Sequence, residues 1–259
     1  MRKVLIGAAA LLLSGSLAAA GEGLGLKVEV GLDLGVVQNA ESEMDGGPAA
    51  KYSATTFVPW VEVTKGFGAA WSAAVRIRGV LGLDDDGGEF LEEDAESSFD
   101  SFDVRGLAGY TFKLGEAAAV TPVLGLSYRN WSSDAEMDDF SVEGGFDAEL
   151  LVVDFGARAE VKLGDKFGIA GSVMLGLPLT GSNQGKTNGP WGDDEADLDG
   201  GFLLEVRAAV EYRLTDMVAL TGGLAYETLS VDWQWDDWNT DGTDEQSRFA
   251  VQLGAALRF

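Results

Sequence analysis

The chain has 259 residues, 36 of them glycine, with no cysteine and no histidine, and a formal net charge of −25. The lack of cysteine excludes a disulfide framework and any thiolate or thiolate-metal chemistry. The surplus of 43 acidic over 18 basic residues excludes nucleic acid as a partner, since phosphate must be met by clustered cations.

In chain order, the first element is a leader. Arg2 and Lys3 precede the apolar run Val4 to Leu13, and the small residues Ala18, Ala19 and Ala20 follow. A charged start, a short apolar stretch and an A-x-A site predict a secretory signal peptide over residues 1–20, used in Sec-type export and cleaved near Ala20. The run falls short of the roughly 20 apolar residues of a membrane-spanning helix. Loss of Arg2 and Lys3 leaves the remainder more acidic still. No later stretch is long and apolar enough for such a helix, so any membrane span in residues 21–259 must be a closed barrel.

Period-two alternation of apolar and polar residues marks strands. It predicts ten: 25–37, 51–64, 69–83, 99–113, 117–131, 147–163, 167–179, 201–214, 217–231 and 247–259. Each exceeds the roughly 9–11 residues that a tilted membrane strand needs, and the number is even. Alternation is faintest in the second and ninth, so eight strands is the alternative. A short pattern recurs between segments: Phe112-Lys113-Leu114-Gly115-Glu116, Val161-Lys162-Leu163-Gly164-Asp165 and Tyr212-Arg213-Leu214-Thr215-Asp216, with Val63-Thr64-Lys65-Gly66-Phe67 as a degenerate copy. Each copy predicts a tight turn, and the acidic, Gly-rich stretches between copies predict long loops on the opposite side. Aromatics sort with these ends. Trp60, Trp71, Tyr110, Phe112, Phe167, Tyr212 and Phe259 lie near the turns; Tyr52, Tyr128, Trp131, Phe146, Tyr226, Trp233 and Phe249 lie near the loops. Two girdles at lipid headgroup level are the expected result.

The inward phase of these strands is charged. It holds Glu29 and Asp33 on the first strand, Glu62 on the second, Arg76 and Arg78 on the third, Asp103 and Arg105 on the fourth. Arg129, then Asp154, Arg158 and Glu160, then Glu205, Arg207 and Glu211, and finally Glu227 and Arg248 continue the set. Both signs on neighbouring strands fit two arrangements: charges paired across a narrow, plugged interior, or a small aqueous pore tuned by its charges. Ten strands stand much nearer the side-chain-filled eight than the 16–18 of open porins, which favours the plug.

The loops carry most of the acidity, including Asp84, Asp85 and Asp86, a field that attracts counter-ions and divalent or cationic ligands. Asp237, Asn239 and Asp241 before Gly242 match the first half of a calcium loop, with Glu245 as a further oxygen donor. Arg248 occupies the place of the bidentate glutamate, so this is no EF-hand. No cofactor other than Ca²⁺ is expected.

The last segment alternates Phe249, Val251, Leu253, Ala255, Leu257 and Phe259 with Gln252, Gly254 and Arg258, and ends on an aromatic. It resembles the closing strand of bacterial outer-membrane β-barrel proteins, whose terminal aromatic belongs to an assembly signal. The resemblance implies an all-β, transmembrane, antiparallel up-and-down barrel in a Gram-negative outer membrane. Lipid and lipopolysaccharide would surround it, and the outer-membrane assembly machinery would read Phe259. The ten strands and loop order are also similar to the omptin proteases, and Asp84 to Asp86 fall in the loop where that family places an aspartate pair. That family pairs an aspartate with histidine, which this chain lacks, so it is expected not to be an enzyme. The expected role is a structural or surface-interaction barrel with a largely plugged lumen. The alternatives are a narrow passive channel and an omptin-like barrel without protease activity that acts as an adhesin.

Overall fold

The computed structural model describes residues 25–41, 51–68, 70–82, 85–90, 93–137, 142–187, 194–235 and 240–259. The expected signal peptide, residues 1–20, lies outside the described residues. The elements are all strands: β1 (Leu26–Glu41), β2 (Lys51–Phe67), β3 (Trp71–Gly82), β4 (Asp85–Phe90), β5 (Glu93–Tyr110), β6 (Phe112–Leu114), β7 (Ala118–Met137), β8 (Val142–Lys162), β9 (Phe167–Thr187), β10 (Asp194–Arg213), β11 (Val218–Trp235) and β12 (Thr240–Arg258). β4 prolongs β3, and β6 prolongs β5 past a one-residue break at Thr111, so the twelve pieces make ten staves.

Every stave pairs antiparallel with its neighbours, and β1 pairs with β12 from Lys27↔Arg258 to Glu41↔Asp244. At the seam the Leu26 amide donates to the Phe259 carbonyl at 3.2 Å and the Phe259 amide donates to the Leu26 carbonyl at 2.8 Å. A sheet closed on itself has no edge to satisfy. The eight-strand alternative is overturned: β2 is laddered to β1 along nearly its whole length, and β11 to both β10 and β12.

The staves run further toward the loops than the alternation predicts. Glu96↔Glu136 and Ser98↔Asp134 still pair β5 with β7, where the sequence pattern reads as loop. The ladder is made by backbone groups and does not need an apolar face. Beyond the apolar band both faces are wet, so alternation ends before the strand does.

The recurring pattern does form the tight turns. Gly115 and Gly164 sit at φ 80° and 87°, backbone that a side chain would strain. The third copy has no glycine. There the Thr215 hydroxyl accepts the Val218 amide at 3.0 Å and closes the turn by a side-chain bond.

The outer face is an apolar belt. Leu124, Leu126, Val173, Leu175, Leu220, Leu224, Val251 and Leu253 are all exposed, far more than a water-soluble surface tolerates in one patch. At the turn end Trp71, Tyr110 and Phe112 pack edge to face, with ring centroids 5.0 and 4.9 Å apart, and Phe167 meets Tyr212 at 5.0 Å. Tyr128, Tyr226 and Phe249 face outward at the other end. Three tryptophans depart from the expected girdles. Trp60, Trp131 and Trp233 turn into the lumen, because each shares the phase of an inward residue an even number of residues away on its own strand, as Trp60 does with Glu62. The side chains of Tyr52 and Phe146 lie outside the described residues.

Candidate functional site

The inward phase of the staves meets across the barrel axis. Arg78 on β3 donates to both Glu227 oxygens on β11, at 2.6 and 3.0 Å, and its Nε lies 3.4 Å from Asp103. Arg129 on β7 joins the same two acids, 3.0 Å from Asp103 and 3.0 Å from Glu227. Arg105 on β5 reaches over to Glu205 on β10 at 3.2 Å and to Asp154 on β8 at 3.3 Å. Arg207 holds the same Glu205 at 2.7 and 3.0 Å. β3 and β11 are not neighbours in the sheet, nor are β5 and β10. These arginines therefore tie opposite walls together.

Asp33 is fully buried and triply held. It accepts the Trp60 indole N–H at 2.7 Å and the Gln252 amide at 3.1 Å, and Arg248 stands 3.8 Å away. Gly31 makes room for that tryptophan; a Cβ there would collide with the indole. Toward the turn end Arg158 clasps Glu62 at 2.6 and 3.0 Å, and the Arg76 guanidinium lies 4.6 Å over the Trp60 ring. The Arg76–Trp60 stack is a cation–π contact, strongest where water is excluded. The turn-end mouth holds Lys27 with Glu29 at 3.1 Å, and Glu211 between Arg213, at 3.2 Å, and Arg258.

Fifteen of the sixteen anticipated lumen residues thus lie on the inner wall, most of them buried in ion pairs. Glu160, on the same inward phase as Asp154 and Arg158, is the one exposed at the turn-end rim, two residues before β8 ends. Sequence reasoning missed Trp60 and Gln252 as partners of Asp33. It also missed an apolar plug on the loop side of the charges. There Val58, Val80, Trp131, Leu150, Val152, Leu203, Leu229, Val231 and Trp233 pack together inside the barrel, with the Trp131 and Trp233 rings 6.4 Å apart. Between plug and ion pairs the interior leaves about 40 Å³ for the centres of water molecules.

The anticipated calcium residues fare differently. Asp237 and Asn239 lie outside the described residues, as does the side chain of Asp241. Asp241 and Glu245 both belong to β12. Four residues of extended chain put their backbones about 13 Å apart. Among the described residues no group of three acidic side chains is placed to hold a metal.

A closed ten-stave barrel with an apolar exterior and a charged interior is the architecture of transmembrane β-barrels. The superposition with OmpT supports that fold. The outer membrane protease OmpT from Escherichia coli superposes with a TM-score of 0.68 at 10% identity, over 90% of this chain and 96% of that one. The translocator domain of the autotransporter NalP from Neisseria meningitidis gives 0.44 at 14% identity, over 100% and 96%. A major outer membrane protein from Thermus thermophilus gives 0.43 at 14% identity, over 87% and 99%. No protein-family model and no curated sequence matches the chain.

Proposed function

We propose that this chain is an integral barrel of a bacterial outer membrane, with a sealed lumen and a structural or surface-interaction role. The observation that carries the reading is the double seal: cross-barrel ion pairs backed by a packed apolar plug, leaving about 40 Å³ for water. That space admits about three waters. The acidic loops would face outward, where divalent cations can bridge them to lipopolysaccharide, and Phe259 would serve the assembly machinery. The likeness to a protease is one of fold. This chain has no histidine, and Asp84 lies outside the described residues, so the reading assigns no activity.

Purified protein reconstituted into a planar bilayer should give no ohmic single-channel steps. Stable, reproducible openings would replace the sealed barrel by the narrow passive channel. Calcium is the second test. Calorimetric titration with Ca²⁺ should give heat with wild type and less with Asp241→Ala, through Asp237, Asn239 and Asp241; equal heats would remove the site.

A further inference from the structure

The cavity between the ion pairs and the apolar plug has an unusual lining. Its charged wall is Arg78, Arg129 and Arg248 against Asp103 and Glu227, three cations to two anions. The carboxylates are already engaged: Glu227 by Arg78 and Arg129, Asp103 by Arg78 and Arg129. Three donors, two from β7 and one from β12 on the opposite wall, are not. Arg129 Nη2, Arg248 Nη1 and the Trp131 indole Nε1 are buried and have no hydrogen-bond partner, on residues 6, 6 and 2% exposed. Asp244, further toward the loops on β12, is buried and accepts the Gln246 amide at 3.3 Å, and it does not line the cavity. A buried donor without an acceptor costs about 1–3 kcal/mol, more for a charged group.

We infer that this cavity is a binding site for one small monovalent anion, chloride in kind, held by Arg129, Arg248 and the Trp131 indole. Two guanidinium N–H groups and an indole N–H, buried and unpartnered on a lining of three cations to two anions, favour an anion over a cation. Its size limits it to a small one: about 40 Å³ equals roughly three water positions, each needing about 10–15 Å³. The anion offsets the surplus charge and completes the donors, so it acts as a structural part of the lumen seal. The inference rests on the closed lumen, and its test reads the anion separately from conductance.

The test uses bromide as a chloride stand-in and Gln246→Glu as the variant. Gln246 lines the cavity from β12, and glutamate there supplies an internal anion of the same shape. Crystals of the wild type grown in sodium bromide should show one anomalous peak among Arg129, Arg248 and Trp131, and Gln246→Glu should lose it. In solution, chloride replacing gluconate at constant ionic strength should raise the wild-type unfolding midpoint by about 2–4 °C and then saturate, as one site filled several-fold over its dissociation constant does. Gln246→Glu should not respond. If that variant does not fold, Arg248→Gln takes its place, and the wild-type bromide map decides alone. No bromine peak in the wild type, or an equal peak in Gln246→Glu, overturns the site. So does a chloride response that never saturates, which is a non-specific effect of ion type on the protein surface. Ohmic conductance with a bromine peak present would overturn the sealed barrel and leave the anion site standing.

Discussion

Replacing Glu227 with alanine should cost about 3–5 kcal/mol of stability, the usual consequence of removing one partner from a buried ion cluster. Glu227 is the acid on which Arg78 and Arg129 converge from the opposite wall, at 2.6 to 3.0 Å, and Arg248 stands 3.9 Å away. Without it three guanidinium groups in a nearly dry interior share Asp103 and Asp33, with Glu205 3.7 Å from Arg78 but already held by Arg105 and Arg207. Neither acid can reorient freely, because Asp33 is tied to Trp60 and Gln252 and Asp103 already lies against Arg78 and Arg129. Most of the loss is the desolvation of stranded positive charge rather than the pair's own attraction.

That argument makes a second variant informative. Arg78→Met with Glu227→Leu removes both members of the cross-barrel pair together, leaving Arg129 with Asp103 and Arg248 with Asp33. The double variant should lose clearly less than the sum of the two single changes, a coupling that a double-mutant cycle measures directly. Urea unfolding in detergent, followed by the shift between folded and unfolded bands on gels, gives the free energies. A Glu227→Ala cost below about 1 kcal/mol would mean that water screens these charges, and the lumen would then be a wet pore.

The fold was largely legible because a barrel is written locally. Each stave needs its own alternation and each short turn its own glycine or hydroxyl, as Gly115, Gly164 and Thr215 show. The inward charges followed from the same parity. What parity does not contain is which wall faces which. Arg78 and Glu227 are 149 residues apart and meet because of the tilt and stagger of the closed sheet, which no local pattern records. Two misses were avoidable. Trp60, Trp131 and Trp233 keep the parity of Glu62, Arg129 and Glu227, so counting faces rather than ends would have turned them inward. The run Leu150-Leu151-Val152-Val153 is apolar on both faces, which signals a stretch of barrel whose interior is apolar too.

The strongest test of the membrane itself is an arginine on the outer belt. Leu124 on β7 is 61% exposed, flanked along the outer face by Leu126 and, across the ladder, by Phe155. It stands four residues from Val120, the partner of Phe112 in the turn-end girdle, and four from Tyr128 in the loop-end girdle. It is therefore near the middle of the band. In water, Leu124→Arg at such an exposed site would change stability by no more than about 0.5 kcal/mol. In a bilayer it should cost about 2–4 kcal/mol, because the guanidinium must be carried to the centre of the hydrocarbon. Leu114→Arg, equally exposed at 60% but on the turn side of Phe112, should cost only about 0–1 kcal/mol at the interface. Folding both variants into lipid vesicles and titrating with denaturant reads the difference. A large cost at Leu124 with a small one at Leu114 fixes the depth of the band, since only a gradient of polarity along the strand separates two leucines of equal exposure. Equal, small costs would mean that the apolar belt is covered by protein or water, and the membrane reading would fall with them.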